Sequence, residues 1–140
     1  MLFVIGTTHH RAPLEVREKL SLTAEGAVAL RAELATLPGL REFAMLSTCN
    51  RIEFYGVAAD PAVVPRVEGA FCSRQNFDPD AFRRIRLDLH GPEAIRHLIV
   101  NFQIRRQQRG PNNTSFYSKT SRFNNQLFIQ FTPLHDGQDI

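Results

Sequence analysis

Short apolar runs alternate with segments of helical spacing along the first hundred residues. Residues 2–5 form an apolar, β-rich run that predicts a buried strand. A short helix is predicted from Pro13 to Leu20, because the fixed φ of proline suits a helix start. Thr23 then caps a second helix, whose apolar residues keep a spacing of three and four before Pro38-Gly39 ends it.

Two further strands are predicted at residues 43–46 and 52–57, and the break between them places Cys49 and Asn50 at the tip of a β-hairpin. Asp60-Pro61 and Asp78-Pro79 are each typical of a helix start. Ile85, Leu87 and Leu89 alternate with polar residues and predict a strand with one face exposed to solvent. A last helix is predicted from Gly91 to about residue 100.

The resulting order is β, α(α), β, β, α, β, α. It predicts an α+β fold, the ferredoxin-like split βαβ sandwich, in which an antiparallel sheet carries helices on one face. A terminal helix and a loosely ordered tail would follow this sandwich.

Composition changes near residue 100. Of the 140 residues, 1–100 hold 12 basic and 12 acidic residues and 13 alanines, whereas 101–140 hold the whole net charge of +3 and no alanine. The tail also holds five asparagines and six glutamines, against two and one before it. We therefore divide the chain into a domain at 1–100 and a polar, basic tail at 101–140 that is expected to be poorly ordered.

Several function classes are excluded by what the sequence lacks. It has no apolar run of about 18 residues and no secretory signal, which predicts a cytoplasmic protein that does not enter a membrane. Two cysteines are too few for a disulfide framework. Neither G-x-G-x-x-G nor G-x₄-G-K-[ST] occurs, so the sequence shows no nucleotide-binding loop.

Cys49 is the main candidate for chemistry, since a thiol on a hairpin tip could be reached by a large substrate. Arg51, His9 and His10 could supply the positive charge that lowers a thiol pKa. Thr48 and Asn50 add hydrogen-bonding groups beside it. On the residues alone, an inert thiol is the alternative. Cys72, beside Phe71 at the end of an amphipathic helix, is interpreted as structural.

The histidines of the second half allow two interpretations. In the last helix the predicted apolar stripe is Ile95, Leu98, Ile99 and Phe102, and His97 falls about 160° from its centre. His97 therefore faces either solvent or a site. His90, at the strand-to-helix junction, is either a loop residue or functional. Histidine and cysteine spacings match no zinc pattern, so no metal site is predicted.

Three sequence blocks carry a family resemblance. The first has the pattern G-x-x-H-x-x-A-P-[apolar]-x-x-R-E from Gly6 to Glu18, and the second has L-S-T-C-N-R-x-E-x-Y from Leu46 to Tyr55. The third is A-x-x-H-L, from Ala94 to Leu98. Together these blocks, over roughly residues 1–98, resemble the N-terminal catalytic domain of glutamyl-tRNA reductase.

This resemblance implies an enzyme that reduces glutamate esterified to its tRNA with NADPH, giving glutamate-1-semialdehyde for tetrapyrrole (porphyrin and heme) biosynthesis. Cys49 matches the nucleophile, which would hold glutamate as a thioester. Arg51 matches the residue that binds the glutamate side-chain carboxylate, and Thr48 and Asn50 complete the set of substrate-binding residues around Cys49. His97 matches a histidine important for activity. His9 lies in the first block, in a supporting role.

The chain departs from the family after Leu98. A segment resembling R-V-A-S-G-L-D-S and G-E-P-Q-I is expected there, and residues 99–109 have none of it. The NADPH domain and the helical dimerisation domain of the family homodimer are also expected and absent, which indicates a truncated or frame-shifted product or an unrelated chain end. The resemblance further implies hand-over of product to glutamate-1-semialdehyde aminomutase. The alternative from another class is a non-catalytic ferredoxin-like module that binds RNA or a partner, although its strands lack the aromatic pair that stacks bases.

Overall fold

The computed structural model describes residues 1–48, 50–108 and 132–133. Within these residues the strands and helices are β1 Leu2–Thr8, α1 Leu14–Leu20, α2 Ala24–Ala35, β2 Leu40–Thr48, β3 Arg51–Ala58, α3 Val63–Arg74, α4 Pro79–Ile85, β4 Leu87–His90, α5 Gly91–Gln108 and β5 Thr132–Pro133. The order through α5 is the predicted one except that two helices, α3 and α4, lie between the third and fourth strands where the predicted order has one. None of the helices in these ranges has the length and apolar character needed to cross a membrane.

The strands of the described residues form one antiparallel sheet in the order β4-β1-β3-β2-β5. The first four strands have the split βαβ arrangement, so the prediction of an α+β sandwich is confirmed. The two residues of β5 pair with Glu42 and Phe43 on β2.

Each face of the sheet carries its own apolar cluster. Helices α1 to α4 cover one face, where the rings of Phe54, Phe71 and Phe82 pack in series at centroid distances of 4.8 and 5.6 Å. Helix α5 covers the opposite face through Ala94 and Leu98. The terminal helix predicted from sequence thus lies on the face that the other helices leave open.

The predicted capping residues start two of the helices. The side chain of Thr23 accepts a hydrogen bond from the Gly26 N–H at 2.9 Å, and that of Asp78 accepts one from the Ala81 N–H at 3.2 Å. Asp60 instead organises a turn before its helix by accepting from the Ala62 N–H at 2.8 Å. Thr23 and Asp78 therefore satisfy backbone N–H groups at the starts of their helices, as the sequence predicts.

Several predicted boundaries differ from the structure, and two of them change which element a residue belongs to or how far a helix extends. Ile85 was expected in the last strand, but it ends α4. The reason is that Ile85 also lies three residues after Phe82, so a single apolar residue fits the helical period as well as the strand period. The last helix continues to Gln108, beyond the boundary expected near residue 100. Most of the predicted tail, residues 109–131 and 134–140, lies outside the described residues.

One buried carboxylate ties α3 to the region of α4. Glu68 has no exposed surface, and its Oε1 accepts from Nε of Arg83 at 2.7 Å while Oε2 accepts from Arg86. Arg86 also pairs with Asp88 at the start of β4. This ion-pair cluster links the helices by polar contacts in addition to their apolar ones. Arg11 of the first sequence block donates to the backbone carbonyl of Arg86 at 3.2 Å.

Candidate functional site

The hairpin between β2 and β3 has a two-residue connection at positions 49 and 50. Thr48 and Arg51 are the last paired residues, and the Asn50 N–H donates to Oγ1 of Thr48 at 3.2 Å. Asn50 therefore lies at the predicted tip, and two-residue connections are a common way to join antiparallel strands. Cys49, the predicted nucleophile, lies outside the described residues.

The end of β1 meets this tip. Thr8 pairs with Arg51, and the backbone N–H of His9 donates to the carbonyl of Asn50 at 2.7 Å. The His9 and His10 rings are adjacent to each other, with centroids 3.8 Å apart, and both side chains are exposed. The structure thus brings the first and second sequence blocks together, with His9 contributing its backbone to the tip.

Strand β3 places three polar side chains on one face. Arg51, Glu53 and Tyr55 are two residues apart, and alternation along a strand directs them to the same side of the sheet. This is the side covered by α5, where Tyr55 belongs to the apolar cluster. The hydroxyl of Tyr55 donates to Oε2 of Glu53 at 2.5 Å.

Helix α5 completes the group with His97 and Asn101. Nε2 of His97 lies 3.1 Å from Oε1 of Glu53, and Nδ2 of Asn101 donates to the Tyr55 hydroxyl oxygen at 3.2 Å. Nη1 of Arg51 donates to Oδ1 of Asn101. We call Arg51, Glu53, Tyr55, His97 and Asn101 the polar cluster.

The predicted apolar stripe of α5 is wrong at Ile95 and Ile99, whereas Leu98 packs against the sheet as predicted and the side chain of Phe102 lies outside the described residues. Ile95 and Ile99 are about half exposed, whereas Ala94 is buried and His97, Leu98 and Asn101 are partly buried against the sheet. The residues 94, 97, 98 and 101 themselves have the spacing of one helix face. The helix turns this face inward because Glu53 and Arg51 on the sheet need polar partners, and small Ala94 allows a close approach. His97 accordingly faces the polar cluster.

Glu53 is the centre of the polar cluster and has no exposed surface. Its two oxygens contact Tyr55 and His97, and Nη1 of Arg51 lies 3.7 Å from Oε1. Burying a carboxylate is costly unless such donors surround it. Among the described residues no buried side-chain nitrogen or oxygen lacks a hydrogen-bond partner.

Burial, and next the neighbouring Glu53 carboxylate, raise the pKa of the Tyr55 phenol above its ordinary value. Tyr55 therefore stays protonated, and its hydroxyl proton stays directed at Glu53. This keeps the hydroxyl oxygen as the acceptor for Asn101.

The remaining candidates that the sequence suggests lie apart from the polar cluster. Nε2 of His90 is 2.8 Å from Asp88 in β4. Cys72 is fully buried, and burial raises the pKa of its thiol to about 11, which confirms a structural cysteine. In the part of the chain that the structure describes, no three metal-ligating side chains come together.

The second sequence block contains Glu53 and Tyr55, but the sequence gives them no role, and it does not single out Asn101. A signal for the first two was present, since three polar residues at alternate positions of an otherwise apolar strand mark a polar patch on one sheet face. Asn101 lies within a stretch without periodicity, and only the packing of α5 reveals its contacts. Chemically, the polar cluster offers a planar guanidinium suited to a carboxylate and a histidine oriented by a buried carboxylate.

The fold and this cluster define an α+β domain with a polar site at a hairpin tip, and the comparisons give the family. Residues 5–100 match the family model described as glutamyl-tRNAGlu reductase, N-terminal domain. The chain therefore belongs to the family of glutamyl-tRNA reductase N-terminal domains.

Individual relatives agree with this assignment. The glutamyl-tRNA reductase of Syntrophotalea carbinolica is 36% identical over 97 residues, which are 69% of this chain and 22% of the relative. That of Alcanivorax borkumensis is 33% identical over 98 residues, 70% of this chain and 23% of the relative. Glutamyl-tRNA reductase 2 of Anaeromyxobacter sp. is 38% identical over 100 residues, which are 71% of this chain and 22% of the relative. The chain spans less than a quarter of the length of these relatives.

Proposed function

We propose that this domain accepts glutamate from glutamyl-tRNA(Glu) as a thioester on Cys49. The thiolate sulfur would bond to the ester carbonyl carbon, the ester C–O bond would break, and the 3′-terminal ribose oxygen of the tRNA would leave and take up a proton. The observation that carries the proposal is the position of Arg51, which follows the hairpin tip directly and keeps 24% of its side chain exposed.

Arg51 would bind the side-chain carboxylate of the glutamyl group, because its planar guanidinium matches a carboxylate. Thr48 and Asn50 would line the same substrate, and His97, held by Glu53, would act beside it. His9 would support the tip through its backbone bond to Asn50.

NADPH does not fit the described residues. Their sheet is antiparallel throughout, and it offers no parallel βαβ unit or glycine-rich turn for a dinucleotide. We therefore derive no reduction step from this domain. NADPH-dependent reduction to glutamate-1-semialdehyde, a place in porphyrin and heme biosynthesis, homodimerisation, hand-over to the aminomutase and a cytoplasmic location belong to the proposal as properties of a longer protein of this family.

The alternative of an RNA-binding module lacks support from the fold. Common RNA modules of this type stack bases on an open sheet face. Here α5 packs on the face that α1 to α4 leave open, so both faces carry helices.

The test is transfer of labelled glutamate. Glutamyl-tRNA with labelled glutamate is incubated with the full chain, and label bound to the denatured protein is measured with and without hydroxylamine, which cleaves thioesters. The parent should take up hydroxylamine-sensitive label and Cys49→Ser should take up none of it. Cys72→Ser is the matched thiol control and should behave as the parent. Equal thioester labelling of Cys49→Ser and the parent would refute the assignment of the nucleophile.

A further inference from the structure

Asn101 lies where the chain departs from the family patterns, and neither the sequence blocks nor the comparisons give it a role. It is on α5, one turn beyond His97, and its side chain is partly buried between Arg51 and Tyr55. Its two polar atoms serve different neighbours: the side-chain oxygen accepts from Arg51 and the side-chain nitrogen donates to Tyr55.

The chemistry of the neighbours fixes which way the amide points. The Tyr55 hydroxyl gives its proton to Glu53, so its oxygen can only accept from Asn101. The NH₂ group of Asn101 must therefore face Tyr55, and its carbonyl oxygen must face Nη1 of Arg51. Exchanging the two atoms would set the NH₂ group against the guanidinium, donor against donor.

The result is a closed ring of polar contacts. Arg51 donates to Asn101, Asn101 to Tyr55 and Tyr55 to Glu53, and Glu53 lies 3.7 Å from the Arg51 nitrogen where the ring began. Because a guanidinium is planar, holding Nη1 orients the whole group. The polar contacts of Arg51 with Asn101 and Glu53 both use Nη1, and the Nη2 and Nε donors on the other edge of the guanidinium can bind a carboxylate side-on.

We propose that Asn101 is a positioning residue that orients Arg51 toward the side-chain carboxylate of the substrate and thereby sets the preference for glutamate over glutamine. This inference rests on the proposed function. It assigns to Asn101 no contact with the substrate; its effect passes entirely through Arg51.

The experiment compares transfer to the protein from tRNA(Glu) carrying glutamate with transfer from the same tRNA carrying glutamine. Asn101→Ala should lower the ratio of the two single-turnover rates at least tenfold and leave the glutamine rate within twofold of the parent. Arg96→Ala, an exposed change on the same helix, should leave the ratio unchanged. An unchanged ratio in Asn101→Ala, or an equal loss of both rates, would overturn the inference.

A double-mutant cycle tests whether Asn101 acts through Arg51. In an Arg51→Ala background the ratio should already be low, and adding Asn101→Ala should change it less than twofold. Independent, additive effects of the two substitutions would contradict the proposal.

A second measurement needs no activity and separates this inference from the proposed function. In the ¹⁵N NMR spectrum of the parent, the Arg51 Nη protons should show slowed rotation and slowed exchange with water, lost in Asn101→Ala and kept in Arg96→Ala. If the parent transfers no glutamate, the proposed function fails. The NMR spectrum then still shows whether Asn101 holds Arg51 in place. Equal mobility of Arg51 in the parent and in Asn101→Ala refutes the inference.

Discussion

Nε2 of His97 on α5 lies 3.1 Å from Oε1 of Glu53 on β3, a carboxylate with no exposed surface. This contact joins the third sequence block to the second across a sequence separation of 44 residues. It also holds the imidazole ring near that of Tyr55, at a centroid distance of 6.3 Å. A histidine oriented by a buried carboxylate is a recurring way to fix which ring nitrogen carries the proton.

Glu53→Gln should slow glutamate transfer at least tenfold, because His97 and Arg51 lose the negative charge between them. The free energy of unfolding should fall by about 1–3 kcal/mol, the usual range for a lost hydrogen bond to a charged group. Single-turnover transfer and urea denaturation measure the two effects. Glu42→Gln, an exposed position on β2, is the control. A parental transfer rate in Glu53→Gln would contradict a role for this carboxylate.

His97→Ala should reduce transfer at least tenfold, whereas His90→Ala should leave it within twofold. The first histidine contacts Glu53, and the second pairs with Asp88 in β4, outside the polar cluster. The same transfer assay checks both. Comparable losses in the two variants would mean that the effect does not depend on the polar cluster.

Glu68→Ala should destabilise the fold strongly. It leaves Arg83 and Arg86 without the buried carboxylate, and removing one partner of a buried pair costs about 3–5 kcal/mol. Because Arg83 is half exposed, we expect the lower end of this range. Denaturant titration gives the value. The matched control is Glu33→Ala, which removes an exposed pair with Arg74 and should cost about 0–1 kcal/mol.

Stability should decrease between about pH 9 and pH 11. The Cys72 thiol has an ordinary pKa of 9.0, and burial raises its pKa in the fold to about 11. Above pH 9 the unfolded thiol loses its proton first, so the unfolded state binds fewer protons and is favoured as pH rises. The thiol contributes on the order of 2 kcal/mol to this loss. Urea midpoints measured across this range should fall less steeply in Cys72→Ala, and an equal slope in both proteins would contradict the assignment.

Gly6→Ala should destabilise the sheet and slow transfer. Gly6 pairs with Glu53, and a Cβ at this position would lie 2.2 Å from the carbonyl oxygen of Ile52, so β1 would have to move away from β3. We expect a loss of about 1–3 kcal/mol, as for other overpacking changes. At Gly69 in α3 a Cβ meets nothing within 4 Å, and Gly69→Ala should stabilise by about 0.5–1 kcal/mol. Thermal unfolding of both variants measures the two stability changes. Equal changes in Gly6→Ala and Gly69→Ala would refute the prediction.

The order of elements, the hairpin tip and the family could all be predicted from the residues alone. These depend on local signals: the Thr23 and Asp78 caps, the short break after Thr48, and residue types at fixed spacing in the motifs. Each acts over a few residues, so periodicity and capping chemistry are enough to predict it.

The face of α5 that meets the sheet, and with it the polar cluster, depends on packing between distant parts of the chain. Judged by apolarity, Ile95 and Ile99 should face inward, yet they are about half exposed. The free energy of a helix face depends on the surface that it covers, and here that surface presents Glu53 and Arg51, whose burial needs polar partners. His97 and Asn101 supply them, which a pattern of hydrophobicity along one helix cannot reveal.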